Sequence, residues 1–196
     1  MNKFPISPLF IPANKLEWIA KTFEKGADSI ILDLEDSVPE NEKSQAREDL
    51  YLHLQENNYE GNLIVRVNPV SDKIGQEDIK VLTQTSLSIN AFMLPKVEES
   101  SSISSLPDVN LIALLETPRS IKNISSIAAE KTVKGLALGG ADLSASLGST
   151  MDWDSLLYSR SKIILEAAIN NLFSIDSPFM DIENLTALGE ESKKAK

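Results

Sequence analysis

Asp33, Glu35 and Asp36 follow one short apolar run of the chain, and Arg66 and Asn68 follow a second. Pro95 and Lys96 follow a third, Glu116 a fourth, and Gly139, Gly140 and Asp142 a fifth. This set is acidic, has one arginine, and contains neither histidine nor cysteine. Glu116 closes an almost wholly apolar segment, where an ionised carboxylate is costly unless paired or metal-bound. It is therefore read as a metal ligand or as a capping or salt-bridged glutamate. Asp142 is read as a metal ligand or as the N-cap of a short helix. Two carboxylates without histidine suit a hard cation such as Mg²⁺, which keeps waters and open positions for substrate oxygens. The glycine pair lets the backbone come close, so amide N–H groups there could hold a carboxylate. Arg66 is read as an ion-pair partner of Glu35 or as a planar fork for a substrate carboxylate. With the nearby carboxylates otherwise occupied, substrate is the partner expected for this guanidinium.

Positioning these residues requires strands that end together. The runs Leu9–Ile11, Ser29–Leu32, Leu63–Val65, Ala91–Leu94, Leu111–Leu115, Gly135–Leu138 and the weaker Phe173–Ile175 are nearly continuous in apolar character. That is how strands buried on both faces read. Stretches of helical spacing lie between them. Asn14-x-x-Glu17 resembles a capping box opening a helix with Leu16, Ile19 and Phe23 on one face. Residues 40–57 and 155–171 predict two more helices, and Pro118 suits the first turn of another. Ser100–Ser105 is a poor helix and predicts a short turn or loop. Repeated βα units imply parallel strands with right-handed crossovers. No G-x-G-x-x-G follows the first run, so a TIM-like (β/α) barrel is favoured over a doubly wound dinucleotide-binding sheet. In such a barrel the chemistry sits where strands end and helices begin.

The whole of 1–196 reads as a single barrel domain, since 196 residues suffice for one sizeable core. A net charge of −10 repels phosphate backbones and anionic lipid, so neither nucleic acid nor membrane is an expected partner. The absence of cysteine excludes disulfides, thiolate metal sites and a cysteine nucleophile, and fits a reducing cytoplasm. No signal peptide is read at Met1–Pro5, and no apolar stretch approaches the roughly 20 residues that span a bilayer. The only histidine, His53, lies in a helical pattern and is expected at the surface or half-buried.

At these residues the sequence resembles the HpcH/HpaI aldolase and citrate lyase β-subunit (CitE-like) family. The likeness runs through Ser7–Pro12, Gly26–Val38 with its D-L-E-D-S-V stretch, Lys43 and Ala46-Arg47. It continues through Val65–Asn68, Met93–Val97, Leu115–Thr117 and Leu138–Leu143. The resemblance implies a TIM-like barrel that makes or breaks a bond between an oxo-acid and an acetyl-thioester enolate. By that likeness Glu116 and Asp142 ligate Mg²⁺, Arg66 contacts substrate, and Gly139, Gly140, Ala141 and Asp142 line the substrate site. Glu35 and Asp36 are expected at the pocket mouth as proton acceptors or as partners of the residues that touch substrate. Lys43 and Arg47, one helical turn apart, are expected either to meet a nucleotide or phosphopantetheine phosphate or to form a solvated helix face. The implied reaction is cleavage of a citryl- or malyl-type thioester to oxaloacetate or glyoxylate and an acetyl-thioester. A thioester hydrolase and a non-catalytic metal- and oxo-acid-binding subunit are the alternatives. The acyl carrier is coenzyme A or an acyl-carrier protein, and a homo-oligomer, trimer or hexamer, is expected. Two departures stand out. The family's first strand opens Arg-Ser where Ile6-Ser7 stands here, and its later glycine-containing strand and Ile-His-Pro motif do not occur within 1–196. An eighth strand and final helix are therefore not expected in this chain, which reads as C-terminally incomplete.

Overall fold

Burial of both faces turns the inner apolar runs into strands. The computed structural model describes residues 5–84 and 87–196. Among these, β1 (Leu9–Pro12), β2 (Ser29–Asp33), β3 (Asn62–Arg66), β4 (Ala91–Leu94), β5 (Leu111–Leu115), β6 (Val133–Leu138) and β7 (Phe173–Ile175) form one sheet in sequence order. The paired strands run parallel. Helices follow the strands, so the fold is the TIM-like (β/α) arrangement. Every residue of β2, β4 and β5 is buried, whereas β7 has no buried residue and Leu9 of β1 is exposed. β1 and β7 end the strand order, which accounts for their lighter cover.

The chain divides into two compact units, one reaching Pro95 and including Ser101–Ile112, the other comprising Lys96–Ser100 and Ala113–Lys196. In the first, α1 (Trp18–Glu24), α2 (Lys43–Glu56), α3 (Lys73–Leu82) and the short α4 (Ser101–Ser104) accompany β1–β4. Ile30, Ile31 and Leu32 of β2, Leu50 of α2 and Leu63 of β3 are fully buried. Each such side chain contributes roughly 1.5–3 kcal/mol. The capping box expected at Asn14 and Glu17 does not form. Residues 13–17 are spent turning the chain away from β1, Glu17 makes no side-chain cap, and the Asn14 amide donates to Glu42 Oε2 instead. A 3₁₀ turn (Glu40–Glu42) leads into α2, close to the expected 40–57 span. The serine-rich 100–105 stretch forms a helical turn rather than a loop, because Ile103 anchors it in the core.

The second unit holds α5 (Pro118–Lys122), α6 (Ile124–Ala128), α7 (Gly140–Leu147), α8 (Leu157–Ile169) and α9 (Leu185–Ala195). Pro118 opens α5 as expected, and Thr117 and Ser120 exchange the hydrogen bonds of a capping box. Helix α8 starts two residues later than the pattern suggested, because Asp152 draws the Ser155 amide and hydroxyl into a turn. No described helix is long and apolar enough to cross a membrane.

Candidate active site

In the first unit, strand register creates an ion pair. β2 and β3 pair so that their last residues, Asp33 and Arg66, stand side by side. The Arg66 guanidinium donates from Nε to Asp33 Oδ1 and from an Nη to Oδ2, both at 2.7 Å. Its other Nη lies 3.2 Å from Glu35 and 3.4 Å from Asp36, and the Phe10 ring centroid lies 5.0 Å from Cζ. Asp33 also accepts the amides of Glu35 and Ser37 at 2.9 and 3.1 Å. Burial works against the ionised form of Asp33. The bonds and charge of Arg66, with those from Ser37 and the Glu35 amide, outweigh it and hold this carboxyl below its usual value. Burial also works against the charged Arg66, and Asp33, Glu35 and Asp36 overcome it, keeping the guanidinium charged. The premise that Arg66 needs a substrate anion is thus corrected: a forked carboxylate from the neighbouring strand neutralises it, with Glu35 and Asp36 beside it. The ion-pair alternative holds, with Asp33 as its main partner rather than Glu35.

Lys43 and Arg47 depart further from expectation. Arg47 is buried, and its Nη1 donates to Asp78 Oδ1 at 3.1 Å. Asp78 Oδ2 accepts both the amide and the side-chain nitrogen of Asn68. Asn68 donates also to the Leu34 carbonyl and accepts from Lys43 Nζ at 2.7 Å. Glu40 flanks Lys43 at 3.1 Å. Neither the phosphate role nor the solvated face fits Arg47, whose cation is spent inside the fold, and Lys43 is largely taken up by the same network. Asp78, overlooked in the sequence, had left a signal. It shares the buried face of α3 with Gly75, Ile79 and Leu82, and an aspartate in an apolar i, i+3, i+4, i+7 stripe needs a buried cation or donors. His53 is half-buried, as expected, and its Nε2 pairs with the Tyr59 hydroxyl.

In the second unit Glu116 is buried to 4% exposure, and its Oε1 accepts the Lys96 amide at 2.7 Å. Lys96 takes a left-handed φ of 54° there, a strained conformation for a residue other than glycine. The Gly139 amide donates to the carbonyl of Leu115 at 3.1 Å, which sets the glycine against Glu116. A Cβ on Gly139 would lie 2.3 Å from Glu116 Cβ and 2.7 Å from Oε2, so only glycine permits this approach. Gly139 is the N-cap of α7, and Gly140 is its first residue. Asp142 lies exposed in the first turn of α7 and is therefore not the N-cap of this helix. The Gly140 amide donates to Ser177 Oγ at 3.2 Å. Ser177 was not singled out in the sequence. It follows the seventh apolar run, where the strand-end rule applied to the earlier runs would have found it.

Among the described residues no three His, Cys, Asp or Glu side chains gather as a metal-ligand group. The pair Glu116 and Asp142 still fits Mg²⁺. Its donors are all oxygens, one carboxylate is oriented by an amide, and a magnesium ion keeps several ligands as water or substrate oxygen. The amides that open α7 add donors for an anion.

Parallel strands in sequence order, followed by helices, define a TIM-like (β/α)-barrel protein. The chain belongs to the HpcH/HpaI aldolase/citrate lyase family, whose model matches residues 7–196. It is 32% identical to human mitochondrial citramalyl-CoA lyase, over 95% of this chain and 62% of that protein. It is also 32% identical to the (3S)-malyl-CoA thioesterase of Cereibacter sphaeroides, over 95% of this chain and 68% of that protein. The solved CitE of Mycobacterium tuberculosis, in complex with magnesium, acetoacetate and coenzyme A, superposes with a TM-score of 0.85 at 32% identity. That match covers 96% of this chain and 71% of the other. The chain spans under two thirds of the length of the citramalyl-CoA lyases it matches.

Proposed function

We propose that the chain is a Mg²⁺-dependent carbon–carbon lyase that cleaves a citryl- or malyl-type thioester to an oxo-acid and an acetyl-thioester. The observation that carries this reading is the close approach of Gly139 to Glu116, with Asp142 in the helical turn that follows. Glu116 and Asp142 are the proposed magnesium ligands. The bound ion would polarise the oxo-acid carbonyl where the carbon–carbon bond breaks. The Lys96 amide keeps one Glu116 oxygen oriented, and the amides of Ala141 and Asp142 are proposed donors to the oxo-acid carboxylate. Asp36, exposed and 3.4 Å from Arg66, is the proposed proton acceptor, and Glu35 the buried acid that supports it. Arg66 is proposed to act from its place in the Asp33 fork, lending positive charge near substrate oxygens rather than a free bidentate clamp. We also propose a homo-oligomer working in the cytoplasm, using coenzyme A or an acyl-carrier protein. The malyl-CoA thioesterase relative favours a second reading, in which the same pocket activates water and releases the free acid.

One assay separates these readings. The full chain is incubated with Mg²⁺ and a malyl- or citryl-type thioester, and products are identified by mass spectrometry. Oxo-acid with acetyl-thioester supports the lyase, and free hydroxy-acid with free thiol supports the hydrolase. Oxo-acid binding without product leaves only a binding subunit. Activity undiminished in Glu116→Gln refutes the metal assignment.

A further inference from the structure

A hydrogen-bonded chain within the second unit ends on the helix that carries Asp142. It begins at Arg160, which is 5% exposed and lies 4.4 Å from the Trp153 ring centroid. Arg160 Nε donates to both carboxylate oxygens of Asp176, at 3.0 and 3.1 Å. Asp176 Oδ1 accepts the amide of Ser177 at 2.8 Å, which fixes the backbone just past β7. Ser177 Oγ then accepts the Gly140 amide at 3.2 Å. A Cβ on Gly140 would lie 2.6 Å from that oxygen, so the helix start and the serine can meet only where glycine stands.

We propose that Ser177 is a positioning residue of the metal site. Its hydroxyl holds the first amide of α7 and so sets where Asp142, two residues on, presents its carboxylate. The inference rests on the reading of Glu116 and Asp142 as magnesium ligands. The amide concerned is one of the first four of the helix, which have no partner inside it. Water could satisfy it almost as well, so the bond to Ser177 adds little to folding stability. Water would not tie the helix start to β7. Loss of the hydroxyl therefore registers in metal affinity more than in melting temperature. Gly139, held to the Leu115 carbonyl, fixes the same helix start on the Glu116 side. The two anchors act on consecutive residues, and Asp142 lies within the turn they define.

Calorimetric titration of Mg²⁺ into the full chain, with a thermal melt of each variant, tests this. Ser177→Ala is expected to bind Mg²⁺ about 3- to 10-fold more weakly, the range of one neutral hydrogen bond, with its melting temperature nearly unchanged. Ser177→Thr keeps the hydroxyl and is expected to bind within about twofold of the parent. Unchanged affinity in Ser177→Ala, or an equal loss in Ser177→Thr, overturns the proposal. Should Ser177→Ala not fold, Ser177→Cys, which keeps the side-chain length but accepts only weakly, carries the same test: weakened binding supports the proposal and unchanged binding overturns it. Glu116→Gln separates the two levels. If it binds Mg²⁺ as tightly as the parent, the metal reading falls and this proposal with it. If it loses binding while Ser177→Ala does not, only the role of Ser177 falls.

Discussion

Arg66 and Asp33 show what a buried fork costs and what it contributes. Both side chains are largely removed from water, and two bonds of 2.7 Å between charged groups offset the desolvation. Lysine keeps the charge at this position but has one point of attachment. Arg66→Lys is therefore expected to lower stability by about 1–3 kcal/mol, read from urea denaturation, rather than to leave the fold untouched. The same pair predicts a pH dependence. The folded pKa of Asp33 lies below its unfolded value of about 3.9. Its contribution is thus fully present above about pH 4 and is lost as pH falls from there through the lower folded value. Asp28, whose carboxylate accepts the amides of Ile6 and Ser7, is shifted the same way and adds to this acid limb. Urea midpoints between neutral pH and about pH 2 should fall steeply in the parent and less steeply in Asp33→Asn. An equal slope in both would remove Asp33 from the account.

At the scale of elements, register and helix faces decide which polar groups meet. Pairing Ser29 with Asn62 brings Asp33 beside Arg66 at the far end of β2 and β3; a slip of one residue would turn one of them to the other face. Helix α3 then secures the turn after β3. Asp78 points inward from it, and Arg47 of α2 neutralises that carboxylate while Asn68 supplies two donors. Removing the acid leaves Arg47 buried with only the exposed Glu48, 3.6 Å away, beside it. Asp78→Ala is expected to cost about 3–5 kcal/mol in denaturant unfolding. A loss under about 1 kcal/mol would mean that water enters and replaces the carboxylate.

Over the whole molecule, charge and apolar surface pull in opposite directions. A net charge of −10 favours separation of copies, whereas α8 is apolar on two faces. Ile163 and Ala167 are buried in the second unit, while Tyr158, Ile164, Leu165 and Ile169 stand exposed on the same helix. An apolar surface of this kind marks an interface more often than it marks free surface. Light scattering is expected to give a mass above the 21.5 kDa of one chain, and the double substitution Ile164→Glu, Leu165→Glu is expected to lower it. A parent already monomeric at assay concentrations would refute the oligomer.

The apolar runs and the helical stretches between them determined the strands, their order and their parallel sense, because a buried strand must be continuously apolar and a strand followed by a helical crossover returns parallel. The same logic singled out Glu116, Gly139, Gly140 and Asp142, since a carboxylate or a glycine pair at the end of a buried strand is conspicuous along the chain. What the sequence could not carry was the choice of partner. Arg66 has three acids within reach of its strand end, and only the β2–β3 register selects Asp33 as the fork. Lys43 and Arg47 lie a turn apart on one helix, which reads equally as a solvated face until α3 is packed against them with Asp78. Ser177 meets Gly140 across 37 residues of chain. Hydrogen bonds and ion pairs act over about 3 Å, so they belong to whichever groups the tertiary fold brings together, and spacing along the chain holds no record of that distance.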